Sequence, residues 1–233
     1  MSLTKIISIE GNIGSGKSTF LHFLKEKFNG NSDVIFLREP VDEWESIKDS
    51  EGKTMLCKFY ENSERYSFSF QMMAYISRLS IIIDAIKKNP KMIITERCLL
   101  TDKHIFAKML YDDKKMEDVE FQIYNKWFNE FNKQVQVTNI VYIKTDPVKC
   151  FQRIKTRARV GEDTIPLEYL EKCDFYHDQF IDNCESSATT IRLNGNIDVD
   201  ELSKDKIYAD WAKSMNISEL ESKRFNSPKQ LNL

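Results

Sequence analysis

Gly11, Gly16, Lys17 and Ser18 stand at the spacing G-x-x-x-x-G-K-[ST] within IISIEGNIGSGKST. That pattern lets backbone N–H groups curl around a polyphosphate, while the lysine neutralises its outer oxygens and the serine hydroxyl reaches a Mg²⁺ ion. Asn12, Ile13, Gly14, Ser15 and Thr19 complete the cradle. A glycine-rich turn that binds nothing has no need of lysine and serine at the two positions a nucleotide uses. Phosphate binding is the chemistry this stretch offers, and the next question is where a phosphate would be sent.

Three other clusters carry charge suited to moving one. Glu39, directly before Pro40, could take a proton from an attacking hydroxyl. Glu96 could hold Mg²⁺ through water, and Arg97 beside it could pair with the acceptor's oxygen or the transferring phosphoryl group. Arg153, Lys155, Arg157 and Arg159 alternate along one segment. Taken alone such a run is a solvated basic face. Beside a phosphate loop it makes a lid, because phosphoryl transfer is catalysed mostly by positioning and by cations on the equatorial oxygens.

The elements that must hold these residues follow from hydrophobic periodicity. KIISI, DVIFL, KMIIT, NIVYI and TTIRL are short apolar runs that read as buried strands, and the longer segments between them have helical spacing. Such alternation predicts a parallel sheet wrapped by helices, with ligands beyond the carboxyl ends of the strands. The phosphate loop follows the first run, Glu39 the second, and Glu96-Arg97 the third. The longest helices are expected over about 64–88 and 118–135, packed in the core or, alternatively, in a helical dimer interface.

Composition sets limits on partners. With 233 residues, 41% of them hydrophobic, one globular domain is expected. A formal charge of -2 and a pI near 6.0 argue against a general nucleic-acid or anionic-membrane binder. No apolar run reaches the length of a membrane span, and the glycine loop lies too close to Met1 for a signal peptide to fit before it, so a cytoplasmic location is expected. Five scattered cysteines without a C-x-x-C pair read as buried free thiols.

The stretches EGNIGSGKST, EPVDEW, YENSERYSFSFQMMAYISR, ERCLLTDKHIF and RIKTRARVGEDTIPLEYLEK, in that order over about residues 5–172, resemble the deoxyribonucleoside kinase family, in its deoxycytidine and deoxyguanosine kinase branch. The resemblance implies an α/β fold: a P-loop kinase with a five-stranded parallel sheet, flanking helices and an arginine-rich lid over about 153–165. It implies one domain over 1–221 with a polar tail at 222–233, and a homodimer. The implied reaction moves the γ-phosphoryl group of ATP, or another nucleoside triphosphate, to the 5′-hydroxyl of a small-molecule deoxynucleoside with Mg²⁺ present. It serves nucleotide salvage.

By the same resemblance Glu39 is the general base, Glu96 the magnesium-associated acid and Arg97 the arginine beside the 5′-hydroxyl, with Lys17 on the donor phosphates. Tyr60 and Glu162 hold the 3′-hydroxyl. Gln71 reads the base edge, Arg78 and Asp102 form the charged pair behind it, Phe70 and Phe106 sandwich the base, and Ile13, Trp44, Leu56 and Phe59 line the apolar remainder. Arg153, Arg157 and Arg159 form the lid, and NGNID, with Asn196 and Asp198, holds the donor's adenine. Independently of the family, FSFQ offers rings and an amide on one helix, and Gln71 and Arg78 lie seven residues apart, two helical turns, on one side.

Two positions depart from the family pattern. Cys98 stands for a serine, and Gly161 for an acid beside Glu162, which implies a looser lid or a shifted sugar contact. Two alternatives remain at this point: a thymidylate-kinase-type nucleoside monophosphate kinase, and a non-catalytic structural subunit with a kinase fold.

Overall fold

The computed structural model describes residues 4–159, 161–184, 188–197, 203–215 and 217, so Asp198 and the tail expected at 222–233 lie outside the described residues. All five expected strands form: β1 (Lys5–Glu10), β2 (Val34–Leu37), β3 (Met92–Glu96), β4 (Asn139–Lys144) and β5 (Thr189–Asn194). They make one sheet in the order β2-β3-β1-β4-β5, and every neighbouring pair is parallel. All the carboxyl ends therefore meet along one edge. Ile9 of β1 faces Glu96 of β3 and Glu10 faces Tyr142 of β4, which sets the phosphate loop and the Glu96-Arg97 turn side by side.

Both faces of the sheet are covered at its three central strands, and this is why β1, β3 and β4 read as continuous apolar runs rather than alternating ones. Ile7, Ile9, Val141 and Ile143 pack under Phe20, Leu21 and Leu24 of α1 (Lys17–Lys27). The opposite face, with Ile6 and Ile93, is closed by Tyr75, Leu79 and Ile82, and by Tyr124 and Phe128. Each such side chain removed from water contributes about 1.5–3 kcal/mol.

Between β2 and β3 run α2 (Val41–Ser46), α3 (Met55–Glu61) and α4 (Ser63–Ile86). The last begins where the Asn62 side chain accepts the Arg65 N–H, and it ends before Pro90. After β3 come α5 (Leu99–Thr101), a π-helical run Asp102–Ala107, α6 (Lys108–Asp112) and α7 (Asp118–Phe131). The expected helix over 118–135 is thus shorter: a 3-10 turn takes Asn132–Gln134. On the other side of β4 lie α8 (Pro147–Arg157), a 3-10 turn Glu162–Thr164 and α9 (Leu167–Cys184), and α10 (Lys204–Ser214) follows β5. Among the described residues no helix is long and apolar enough to cross a membrane.

Candidate active site

A cavity of about 700 Å³ opens along the carboxyl edge of the sheet. One end is the phosphate loop. Gly11 has φ +146°, and a Cβ there would stand 2.6 Å from the carbonyl oxygen of Ile143, so only glycine lets the loop turn this close to β4. Residues 13–19 of the loop line the cavity at the N-terminus of α1, where unsatisfied N–H groups and the helix dipole favour an anion. Gly11 and Asn12 do not line it; Asn12 braces the loop instead, donating from Nδ2 to the Leu170 carbonyl at 2.8 Å.

Lys17 is buried and donates from Nζ to the Asn12 carbonyl at 2.8 Å. Burial, helped by Arg97, pulls its pKa down to about 8 against the opposing pull of Glu96 and Glu39. Ser18 Oγ donates to Glu96 Oε1 at 2.6 Å. This hydroxyl and carboxylate are a hard-oxygen pair at the mouth of the loop. Among the described residues no group of three or more His, Cys, Asp or Glu side chains is placed to hold a metal. The donor set fits Mg²⁺, which is held by one or two protein oxygens plus waters and substrate phosphates rather than by an all-protein cage.

Beside the loop, Arg97 occupies the left-handed region at φ +62°, a strained conformation for a side-chain-bearing residue. Its N–H is bonded to the Ile9 carbonyl at 3.0 Å and its Nη1 to the Gly11 carbonyl at 2.9 Å, which overdetermine that geometry. Its Nε donates to Glu39 Oε1 at 3.2 Å. Burial alone would raise the Glu39 carboxyl, but the guanidiniums of Arg97 and Arg78 and the ammonium of Lys17 outweigh it and hold the pKa at about 2.

The other end of the cavity is aromatic. Phe70 stacks on Phe59 with centroids 4.5 Å apart and meets Trp44 edge-on, while Phe106 faces the Arg97 guanidinium at 4.9 Å. Leu56, Phe59, Phe70, Phe106 and Trp44 all line it. Gln71 is 2% exposed, lines the cavity, and has no hydrogen-bond partner for Oε1 among the described residues. A buried acceptor left unpaired costs about 1–3 kcal/mol, so the site is built for a donor. The Arg78–Asp102 pair forms as expected, Nε to Oδ2 at 2.9 Å, and burial pushes Asp102 up to about 6 even against the pull of Arg78.

Tyr60 and Glu162 also reach this cavity. Burial, with Glu162 and Glu39 nearby, raises the Tyr60 phenol far above its ordinary value and keeps it a neutral donor. Glu162 is buried and held by Arg157 and by Arg159, the latter at 3.1 Å. Gly161 lies where the lid meets α3. That residue has φ +86°, and a Cβ would stand 3.1 Å from Cys57 Sγ, so the glycine permits close packing of the lid on α3. Cys98 is buried against Thr101 and does not line the cavity.

On the donor side Arg153 donates to the carbonyls of Ser15 (3.3 Å) and Gly195 (3.0 Å), strapping the phosphate loop to the turn after β5. Asn196 does not line the cavity; its Oδ1 accepts the Asp146 N–H at 2.8 Å and braces that turn. Sequence reasoning missed Ala74, Tyr169, Lys204, Tyr208 and Trp211, which do line it. Tyr169 sits within the motif IPLEYLEK; the α10 residues show only ordinary helical spacing.

Comparison with known proteins agrees with this geometry. A family model described as deoxynucleoside kinase matches residues 7–216. A probable deoxycytidine kinase of Fowlpox virus is 36% identical over 200 residues, covering 83% of this chain and 80% of the relative. Deoxycytidine kinase 1 of Xenopus laevis is 37% identical over 199 residues, 76% of this chain and 74% of the relative, and the mitochondrial deoxyguanosine kinase of the same organism is 34% identical over 196 residues, 76% and 73%. A match that spans nearly the whole described fold, with a phosphate loop, carboxylate and aromatic pocket on one sheet edge, means that this chain belongs to the deoxynucleoside kinase family.

Proposed function

We propose that the chain transfers the γ-phosphoryl group of ATP to the 5′-hydroxyl of deoxycytidine, deoxyadenosine or deoxyguanosine in preference to thymidine. The observation that carries this reading is the order of groups along one cavity: anion cradle, then Glu39 with Arg97, then Tyr60 with Glu162, then an aromatic slot ending at Gln71 and Arg78–Asp102. The triphosphate lies in the loop. Ser18 and Glu96 would hold Mg²⁺, which would neutralise charge on the phosphate oxygens. Glu39 orients the 5′-hydroxyl and accepts its proton, Arg97 and the lid arginines Arg157 and Arg159 face the transferring group, and Tyr60 with Glu162 fixes the sugar.

A monophosphate acceptor fits less well. The two guanidiniums hydrogen-bonded to Glu39, those of Arg78 and Arg97, are committed to that carboxylate rather than to an acceptor phosphate. A non-catalytic role fits less well too, since Lys17, Ser18, Glu39 and Arg97 are all in place. A homodimer belongs to the same reading: Val119, Ile123 and Trp127 recur every four residues as an exposed apolar stripe on α7.

A steady-state panel of the four natural deoxynucleosides with ATP tests the substrate reading, and thymidine as the best substrate overturns it. The specificity is expected to reside in the charged pair, because a thymine methyl group needs apolar room near it. Changing Arg78→Met and Asp102→Ala together avoids a lone buried charge. The ratio of kcat/KM for thymidine over deoxycytidine should then rise at least about tenfold, or 1.4 kcal/mol of differential binding.

Removing Arg157 and Arg159 together should lower kcat roughly 10²-fold, with a smaller effect on nucleoside affinity, since their charge is used where negative charge develops. Loss of nucleoside binding with kcat intact would place them elsewhere.

A further inference from the structure

The guanidinium of Arg78 is committed to three elements at once. Nε donates to Asp102 Oδ2 at 2.9 Å, Nη1 to the Glu96 carbonyl at 2.8 Å, and Nη2 to Glu39 Oε1 at 2.9 Å. Arg97 donates to the same oxygen of Glu39. Among the described residues no hydrogen bond reaches Oε2. We propose that Arg78 is a positioning residue for the phosphoryl transfer: it pins Glu39 by Oε1, turns Oε2 toward the acceptor hydroxyl, and so ties the nucleobase pocket to the alignment of the catalytic carboxylate.

The need for such a clamp lies in where Glu39 stands. It follows β2 by two residues, in the irregular link to α2, and its side chain is one-fifth exposed. A single bond from Arg97 leaves the carboxylate free to swing about that contact. Arg78, by contrast, projects from the middle of the 24-residue α4, is 1% exposed, and presents a planar fork whose donors keep fixed relative directions. Two guanidiniums on one oxygen, one from a helix and one from a strand end, restrict rotation of the group. Misplacing a reacting group by about 1 Å costs on the order of 10²-fold in rate.

The proposal rests on Glu39 acting as read above, and a double-mutant cycle separates the two. Wild type, Glu39→Gln, the paired change Arg78→Met with Asp102→Ala, and all three changes together are assayed for kcat with saturating ATP and, in turn, deoxycytidine and thymidine. With Glu39 present, the paired change should lower kcat about tenfold or more for both nucleosides, including the one whose nucleobase makes no use of the pair. In the Glu39→Gln background it should lower kcat less than about twofold, because nothing remains to be positioned. An equal factor in both backgrounds overturns the proposal while leaving the reading of Glu39 intact. A Glu39→Gln enzyme as fast as wild type overturns both. If the paired change does not fold, the same cycle with Arg78→Lys decides it: this keeps a charge beside Asp102 but cannot span three acceptors, and a matching loss in both backgrounds is again the overturning result.

Discussion

Replacing Glu39 by glutamine is expected to lower kcat by roughly 10² to 10⁴ while leaving deoxynucleoside affinity within a few-fold. The amide keeps the size of the side chain and can still accept from Arg78 and Arg97, so the pocket stays closed; what it loses is the capacity to accept the hydroxyl proton. A carboxyl held at about 2 by two guanidiniums and Lys17 is a weak base, yet it is anionic throughout the working range. Phosphoryl transfer tolerates this because its transition state is loose and most of the acceleration comes from alignment and charge. It follows that kcat/KM should show no acid limb from Glu39 between about pH 5 and 8. Steady-state kinetics together with calorimetric binding of the nucleoside checks both statements, and a kcat within a few-fold of wild type removes Glu39 from the chemistry.

Much of the framework behind that prediction was legible in the chain. KIISI, KMIIT and NIVYI are apolar on both faces because helices cover both sides of the sheet there, and short apolar runs marked all five strands to within a residue or so of their ends. The glycine loop, the strand-end carboxylates and the two-turn spacing of Gln71 and Arg78 were likewise local patterns. Strand order was not, since it depends on which distant runs pair. The bond from Arg78 to Glu39 joins residues 39 positions apart on a helix and a link, and periodicity carries no trace of it. Nor did periodicity show the π-helical run that carries both Asp102 and Phe106, or the positive φ of Arg97.

Gly161 shows what a sequence pattern leaves out. As a composition change it reads as a lost acid, whereas in three dimensions it is a backbone position with φ +86° and a tight 3.1 Å approach to Cys57 Sγ, where a residue with a side chain would be strained. The α10 residues were invisible for a related reason. Tyr208 and Trp211 reach the cavity only because α10 docks on Phe20 of α1, a contact between the two ends of the chain.

Lys17 carries the remaining large effect, and it acts on stability and activity in opposite directions. Lys17→Met should lower kcat/KM by roughly 10² to 10³, the cost of removing one cation from developing charge, and should also raise the melting temperature. Burial holds the ammonium at about 8 rather than 10.5, so a charged Lys17 is destabilising below that pH. The bond to the Asn12 carbonyl, worth about 1 kcal/mol, is lost in the variant, but relief of the buried charge outweighs it, and a net gain on the order of 1 kcal/mol corresponds to roughly 2–4 °C for a chain of this size.

The sign with pH is fixed by linkage. Between about 8 and 10.5 the unfolded chain holds more protons at this site than the folded one, so wild-type stability rises with pH across that window and the advantage of the variant shrinks. The same titration should place an alkaline limb near pH 8 on kcat/KM, which reports the free enzyme. On kcat the limb should move to higher pH, because a bound triphosphate favours the charged lysine. Calorimetric melting of both proteins at about pH 7 and pH 9.5, beside the two pH profiles, tests the whole chain of reasoning. A variant less stable than wild type at pH 7 would mean that the buried ammonium is fully compensated by Glu96 and Glu39, and that the loop holds no stored preference for an anion.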